Sequence, residues 1–519
     1  MVYKKLKVLA LLLMFTSANA SFAEESYPLT VVPSAENLHY LNYNEIHFLS
    51  THDAPNKVFQ ERYETLLNTL ITQKNIHQGS LKTDAKTSKK YFRVTHWNID
   101  RGYNLERISK LFAKNDDFIK NELKADLDEN DIEKVKKDVE IFRETDIFLL
   151  NEVDIGLPRT QYKNVVEEFA KLVGGNYAYA VEFIEADPKI LYAPDLDKNR
   201  YKGLHGNAVV SKFPIKNARV VRLPDYYHWY ADENHKIGPV EKIRRKGAKL
   251  IFDETVVTEL RHGSRVAIIA DILLPNNETV TVVSTHLENR TMARFRERQL
   301  KALFEEIKDI KNPIILGADF NNFENSGEPT SAKKVVVRTL GDPQNIARYT
   351  ASVFTPYSFI ISPSLYLTSF ARKYRNPTVI SIPVLMRNRN YELFDIVNDF
   401  EFTDKNKFDF SGSKEYTYNG KGGNLANSNE RSGFKGFVST YRFNRDLWLA
   451  IFKIDWIFVK PILDTTNTAC VDKKINKAYK DFDCKRYFPV YPKTLKYLNR
   501  ETKDGLLSDH NPVSVGIMI

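Results

Sequence analysis

The chain has 519 residues, of which 42% are hydrophobic, 12% aromatic and 27% charged, a balance that allows a sizeable buried core and excludes a disordered or collagen-like chain. Beyond residue 20 no stretch holds the roughly 18 uninterrupted apolar positions of a membrane span, which excludes a polytopic membrane protein. The formal net charge is +10. Removing residues 1–20 takes away three lysines and no acid and leaves 73 Lys+Arg against 66 Asp+Glu. That modest surplus mildly favours anionic partners such as nucleic acid or phospholipid, and is equally what a solvated lysine-bearing surface gives.

Residues 1–20 read as a secretory signal peptide. Lys4, Lys5 and Lys7 form a basic head, Val8 to Phe15 is a short apolar run, and Ala18-Asn19-Ala20 is a small-residue cleavage site. The run is too short to span a bilayer, so the expectation is cleavage after Ala20, or failing that after Ala23, and a secreted or periplasmic mature chain without an integral membrane span. No Cys follows the run, so a lipid anchor is not expected there. Residues 21–90 are expected to form an N-terminal extension. Tyr63, Leu66, Leu67, Leu70 and Ile71 recur at helical spacing, and the polar stretch from Gln78 to Lys90 reads as a linker.

From Tyr91 short β-prone runs recur. The predicted strands are Phe92–Trp97, Asp146–Leu150, Asn207–Ser211, Val266–Leu274, Val280–Ser284, Pro313–Leu316, Ile454–Val459 and Pro512–Ile517. Two helices are predicted between them. Gln161–Val173 stops at Gly174-Gly175, and Thr291–Ile310 carries Phe295, Leu300, Leu303, Phe304, Ile307 and Ile310 on one face. Residues 323–447, with a half-apolar run from Tyr357 to Phe370, read as a large insertion between two core strands. Cys470 and Cys484 are the chain's two cysteines, and in an oxidising compartment they are expected to form a disulfide; Cys-x13-Cys is not a metal spacing. The elements together give an α+β or layered α/β protein with two sheets.

The strand ends carry the chemistry. Asn98 follows the first strand, Asn151 and Glu152 the second, and His286 closes the strand from Val280. Asp319 and Asn321 follow Pro313–Leu316, Asp455 sits within Ile454–Val459, and Asp509-His510 precede the last strand. An acid or amide at one strand end is most often a turn residue or a helix cap. Several strands delivering such residues to loop mouths is a different matter, because a rigid sheet can hold them together. With carboxylates dominant and no Cys among them, the set suits a hard cation such as Mg²⁺ or Mn²⁺, and with it phosphoryl chemistry.

At this point a family becomes visible. Thr95-His-Trp-Asn-Ile-Asp-Arg-Gly102, Leu150-Asn-Glu-Val-Asp154, Gly206-Asn-Ala-Val-Val-Ser-Lys-Phe-Pro-Ile215, Ser284-Thr-His-Leu-Glu288, Ile315-Leu-Gly-Ala-Asp-Phe-Asn321, Ile454-Asp-Trp-Ile-Phe-Val459 and Ser508-Asp-His-Asn-Pro-Val513 resemble, in order, the motifs of the endonuclease/exonuclease/phosphatase superfamily. The resemblance spans 91–519 apart from the insertion. Gly156-Leu-Pro-Arg-Thr160 and His205-Gly-Asn207 look like an exported bacterial branch. It implies a four-layer sandwich: two packed, mostly antiparallel sheets flanked by helices. It implies Glu152 as principal metal ligand with Asn98 beside it and Asp509 as a candidate second ligand, the ion being Mg²⁺ or Mn²⁺. Asp319 would orient or deprotonate the attacking water, and Asn321 would hold the water or the phosphate. His510 would polarise the phosphate, Asp455 would orient His510, and His286 would contact the scissile phosphate.

Asn207 sits in a family motif near the site. Arg159 is either a phosphate clamp or one half of a structural salt bridge. The implied enzyme is a secreted metal-dependent hydrolase of phosphoesters, most directly phosphodiesters, with nucleic acid as one substrate. Phospholipid or sphingomyelin headgroups and sugar or inositol phosphates are the alternatives. A binding protein that kept the fold and lost the chemistry is the rival of another class, but it would be expected to have lost some of these residues, and all are present.

Overall fold

The computed structural model describes residues 40–73, 79–86, 88–113, 117–234, 259–291, 293–322, 391–409, 411–412, 414–431, 437–442, 451–464, 468–471, 484–500 and 502–519. The expected signal peptide and the run from Tyr357 to Phe370 lie outside them. The principal elements in chain order are α1 (Tyr43–Leu49), α2 (Gln60–Asn68), β1 (Ile71–Gln73), β2 (Lys82–Thr83), β3 (Lys90–Arg101), α3 (Glu129–Arg143), β4 (Ile147–Ile155), α4 (Val165–Val173), β5 (Asn176–Glu185), β6 (Leu204–Ser211), β7 (Ile215–Arg222), β8 (Arg261–Gly263), β9 (Val266–Leu273), β10 (Thr279–His286), α5 (Ala293–Ile307), β11 (Ile314–Asp319), α6 (Tyr391–Asp399), β12 (Asp455–Lys460), β13 (Phe488–Thr494) and β14 (Val513–Met518).

The strands form two main sheets. The larger runs β1-β5-β6-β4-β3-β14-β13, with β2 added to β3 and β8 to β5; the smaller runs β12-β11-β10-β9-β7. Among the described strands β3 and β4 pair in parallel, as do β10 and β11, and the other pairings are antiparallel.

Side chains alternate across each strand, so every strand has one face for each neighbouring layer. Phe92, Val94, Ile147, Leu149, Val209 and Val515 of the larger sheet meet Ile268, Ala270, Val280, Val282, Ile315 and Ile457 of the smaller in one apolar core. The outer face of the larger sheet, including Trp97, Phe148 and Leu150, is covered by Leu49 of α1, Leu66 of α2, Phe142 of α3 and Phe169 of α4. On the outer face of the smaller sheet, Leu316, Trp456 and Phe458 pack with Leu303 and Phe304 of α5 and with Leu393 and Phe394 of α6. The layers are therefore helix, sheet, sheet, helix: a four-layer sandwich.

Residues 40–73 are built into this sandwich. Leu41, Ile46, Leu49 and Leu66 are buried in the helix-side core, and β1 pairs with β5 over Ile71–Gln73. Within the stretch that reads as a linker, β2 pairs with β3. The local signals agree with these elements. Asn42 and Glu45 form a reciprocal capping box on α1, and α4 starts at the Asn164 cap and ends at Gly174, whose φ is +68°. Cys470 and Cys484 are bonded, with Cα atoms 5.5 Å apart.

Candidate active site

The inward-facing rows of both sheets change character at one end. In β3 the row Phe92, Val94 continues as His96 and Asn98; in β4 Ile147 and Leu149 are followed by Asn151; in β5 Ala178 and Ala180 are followed by Glu182. The smaller sheet matches them, with Val280 and Val282 leading to His286, Ile315 to Asp319, and Ile457 preceded by Asp455. The apolar rows lock the sheets face to face, and that docking presses their polar ends together.

Glu152 reaches the site through a break in the alternation. By parity with Phe148 and Leu150 it would face the helices. The pairing of β4 with β6 shifts register between Leu150 and Val153, and that of β3 with β4 shifts between Asn98 and Arg101. Asp100, Arg101 and Glu152 take φ values of +46°, +62° and +52°, a left-handed conformation that costs a non-glycine residue about 1–3 kcal/mol and gathers at functional sites. Asn98 Nδ2 then donates to Glu152 Oε1 at 3.2 Å and to Asp319 Oδ2 at 3.3 Å, tying one sheet to the other.

His510 is held from three sides. Its carbonyl accepts from Trp97 Nε1 at 3.0 Å and from Asn499 Nδ2 at 2.6 Å; its backbone N–H donates to Ser508 Oγ at 3.0 Å; its Nδ1 lies 2.7 Å from Asp455 Oδ2. Asp455 Oδ1 lies 3.1 Å from His96 Nε2, so one carboxylate holds two imidazoles. Burial disfavours a charge on Asp455, but His510 and His96 outweigh it and keep the carboxyl below its usual range. Burial likewise opposes charge on His510, and Asp455 and Asp509 overcome it, so the imidazole is held above its ordinary range. Its free Nε2 lies 3.7 Å from Asp319 Oδ2 and 3.9 Å from Asp509 Oδ1.

His286 is in the opposite state. Burial, with Arg265 and His510 nearby, pushes it well below its ordinary range. Its Nδ1 lies 2.8 Å from Arg265 Nη1, and its Nε2 lies 2.8 Å from Asn321 Nδ2 and 3.4 Å from Asp319 Oδ2. Asn321, at φ +48°, donates its backbone N–H to Asp319 Oδ1 at 2.8 Å. Burial and the neighbouring Asp455 push the Asp319 carboxyl up to about 7.

The family model described as Endonuclease/Exonuclease/phosphatase family matches residues 95–510. The chain belongs to this family. No curated protein matches it. Solved structures similar to it include an endonuclease/exonuclease/phosphatase from Beutenbergia cavernae, with 15% identity, 83% of this chain and 72% of that chain covered, and a TM-score of 0.35. Another is the human Nocturnin catalytic domain with bound sulfate anion, at 13% identity, 87% and 96% coverage and a TM-score of 0.36. A third is the 3'-5' exonuclease NExo from Neisseria meningitidis, at 11% identity, 82% and 100% coverage and a TM-score of 0.38.

Membership of the endonuclease/exonuclease/phosphatase family gives the chain a phosphohydrolase fold, and the donor set fits a hard divalent cation. The Glu152 and Asp509 carboxylates and the Asn98 amide are all oxygen donors. Asp100 stands beside them, its carboxyl pushed up to about 8 by burial and by repulsion from Asp509 and Glu152. Such crowding of carboxylates is what a cation relieves. Among the described residues Asp319, Asp455 and His510 also offer ligand atoms within 4.8 Å of one another. Both Asp455 oxygens are engaged by His510 and His96, so this trio is an acid beside an oriented imidazole rather than a metal cage.

The remaining expected residues lie around this centre. Asn207 has its amide filled within the protein: Oδ1 accepts from Asn151 at 2.8 Å, and Nδ2 donates to Glu182 Oε1 at 3.0 Å and to the Val266 carbonyl at 3.2 Å. Arg159 places its fork on Asp154, at 2.6 and 3.0 Å, and on Glu185 at 3.1 Å. His96, Glu182 and Arg265, which the sequence does not single out, join the site, as does Asn151, noted there as a strand-end residue without an assigned role. Asn151 is marked by ending an apolar run, whereas His96 and Glu182 continue the inward rows of buried stretches that show no apolar–polar alternation, and Arg265 carries no local signal. Among the described residues no helix is long and apolar enough to cross a membrane.

Proposed function

We propose that this protein is an exported, divalent-metal-dependent phosphodiesterase. The observation that carries this reading is the meeting of Asn98, Glu152, Asp319, Asn321, His286, Asp455 and His510 at one end of the two sheets, with Asn98 bridging Glu152 and Asp319. Mg²⁺ or Mn²⁺ held by Glu152 and Asn98, with Asp509, would supply positive charge against the phosphate oxygens. The chain's own groups do the rest. Asp319 takes a proton from the attacking water, and a carboxyl pushed up to about 7 suits a base working near neutral pH. Asn321 holds the water or a phosphate oxygen. His510, kept charged by Asp455, and neutral His286 donate hydrogen bonds to the non-bridging oxygens as their charge grows. The water oxygen bonds to phosphorus while the opposite P–O bond breaks, the departing oxygen takes a proton from solvent water, and Asp319 returns its proton to solvent. The completeness of the site supports catalysis over binding alone.

Export is supported by the basic head and short apolar run at the N-terminus, and the Cys470–Cys484 bridge suits an oxidising compartment. The mature N-terminus, read by mass spectrometry of the exported protein, is expected at Ser21.

The substrate test assays purified protein on DNA, RNA, sphingomyelin, inositol phosphates and a generic diester, each with and without EDTA. Hydrolysis of at least one diester, lost on chelation, is expected. Turnover that survives thorough chelation overturns the metal requirement. Hydrolysis confined to monoesters would make the protein a phosphatase instead.

A further inference from the structure

Arg265 lies one residue before β9 and is 3% exposed. Its Nη1 is 2.8 Å from His286 Nδ1 and 3.0 Å from Glu182 Oε2, and its Nε is 3.4 Å from Glu288 Oε2, which also accepts from Trp229 Nε1 at 3.1 Å. These contacts close a circuit through both sheets. Glu182 accepts from Asn207, Asn207 accepts from Asn151, Asn151 Oδ1 accepts from the Asp319 backbone N–H at 3.3 Å, and Asp319 Oδ2 lies 3.4 Å from His286 Nε2.

The circuit decides where the His286 proton sits. A guanidinium has five N–H donors and no lone pair, and it stays charged at every pH a protein meets. Facing it at 2.8 Å, Nδ1 must present its lone pair. The ring is 1% exposed and beside a permanent cation, so it is neutral. A neutral imidazole has one lone pair and one N–H, and the proton is therefore on Nε2. Asn321 Nδ2 also approaches Nε2, and it donates to the Leu287 carbonyl as well, both at 2.8 Å. Two donors cannot share a ring with one lone pair. Arg265 is fixed by two carboxylates, whereas Asn321 Nδ2 keeps the Leu287 carbonyl as its acceptor without Nε2, so the Asn321 contact with the ring is the one that yields.

We propose that Arg265 is a positioning residue that locks His286 as the neutral Nε2–H tautomer and so keeps a fixed hydrogen-bond donor aimed into the site. In the free protein the N–H faces Asp319. With substrate bound it is available to a phosphate oxygen, and His286 neither gains nor loses a proton in the cycle. The catalytic consequence rests on the phosphodiesterase reading; the tautomer does not.

The test is ¹⁵N NMR of histidine-labelled, otherwise native mature protein, using long-range ¹H–¹⁵N correlations and H286Q to assign the signal. In the unaltered protein Nδ1 is expected at the unprotonated position and Nε2 at the protonated one. A His286 carrying its proton on Nδ1, or on both nitrogens, at neutral pH overturns the proposal even if no phosphoester is ever hydrolysed. R265M should give mixed tautomers and lower kcat by roughly 10–100-fold with KM nearly unchanged, and R265K, which keeps a cationic donor, should restore both. Equal tautomer signals in folded R265M and the unaltered protein would also overturn it. Should R265M fail to fold, the spectra of the unaltered protein and R265K still decide.

Discussion

Asp455 shows how one side chain sets the behaviour of two others. With Oδ2 on His510 and Oδ1 on His96, it has no oxygen free for another role, and its charge is what keeps His510 protonated inside the fold. Asp455→Asn should lower kcat by roughly 10²–10⁴-fold with little change in KM, and His510→Ala and Glu152→Gln should each have effects of the same order, about 3–5 kcal/mol of transition-state stabilisation. Steady-state kinetics on the substrate identified by the panel, with circular dichroism to confirm folding, checks this; unchanged turnover in all three would remove these residues from the chemistry. Most of these side chains were legible because each stands at the end of an apolar run. Arg265 was not. Its meaning lies in what faces it, and nothing local in Ser264-Arg265-Val266 says that His286 and Glu182 will be there. His96 was hidden differently: a histidine inside a buried strand reads as part of the core until its partner on another strand is known.

At the scale of elements, sequence patterns served best where a strand has one simple environment. The strand expected at Phe92–Trp97 runs on as β3 to Arg101, because the bulge that carries Asp100 and Arg101 extends the pairing. Among strands of seven or more residues, three gave no clear signal. All ten residues of β5 are buried, so it lacks an apolar–polar alternation. β7 and β13 lie at sheet edges, where polar residues are tolerated, and β13 carries Pro489 and Pro492, which an edge strand can accommodate and a central one cannot. α1 adds a testable element. His262 of β8 donates Nε2–H to the Leu49 carbonyl at the end of α1, at 2.7 Å, and burial pushes its pKa down to about 4. The unfolded chain protonates this residue first, near its ordinary value of about 6.5. Stability is therefore complete above that pH and falls as the pH drops towards 4, by roughly 3 kcal/mol from this group alone. Denaturant melts between pH 7 and pH 4 should show the loss, and His262→Gln, which keeps a donor without titrating, should flatten it; an unchanged pH slope would assign the loss elsewhere.

For the whole molecule, the layer order was legible from strand and helix spacing together with the family motifs, whereas the integration of residues 40–73 was not, since a three-residue edge strand such as β1 is too short to announce itself. Chelation belongs at this scale too. A cation bound at crowded carboxylates stabilises the folded state by mass action, so EDTA should lower the melting temperature as well as abolish turnover, and added Mg²⁺ or Mn²⁺ should restore both. A melting curve indifferent to EDTA and to either ion would mean that no cation binds there.

The circuit of polar contacts through Asn151, Asn207, Glu182, Arg265, His286 and Asp319 has half its members on the larger sheet and half on, or one residue before, strands of the smaller. Any shear between the layers opens it before either sheet frays, which makes turnover a gauge of how firmly they are clamped. With rising urea, inactivation should precede the loss of far-ultraviolet dichroism, and coincident curves would mean that the two halves never part while still folded.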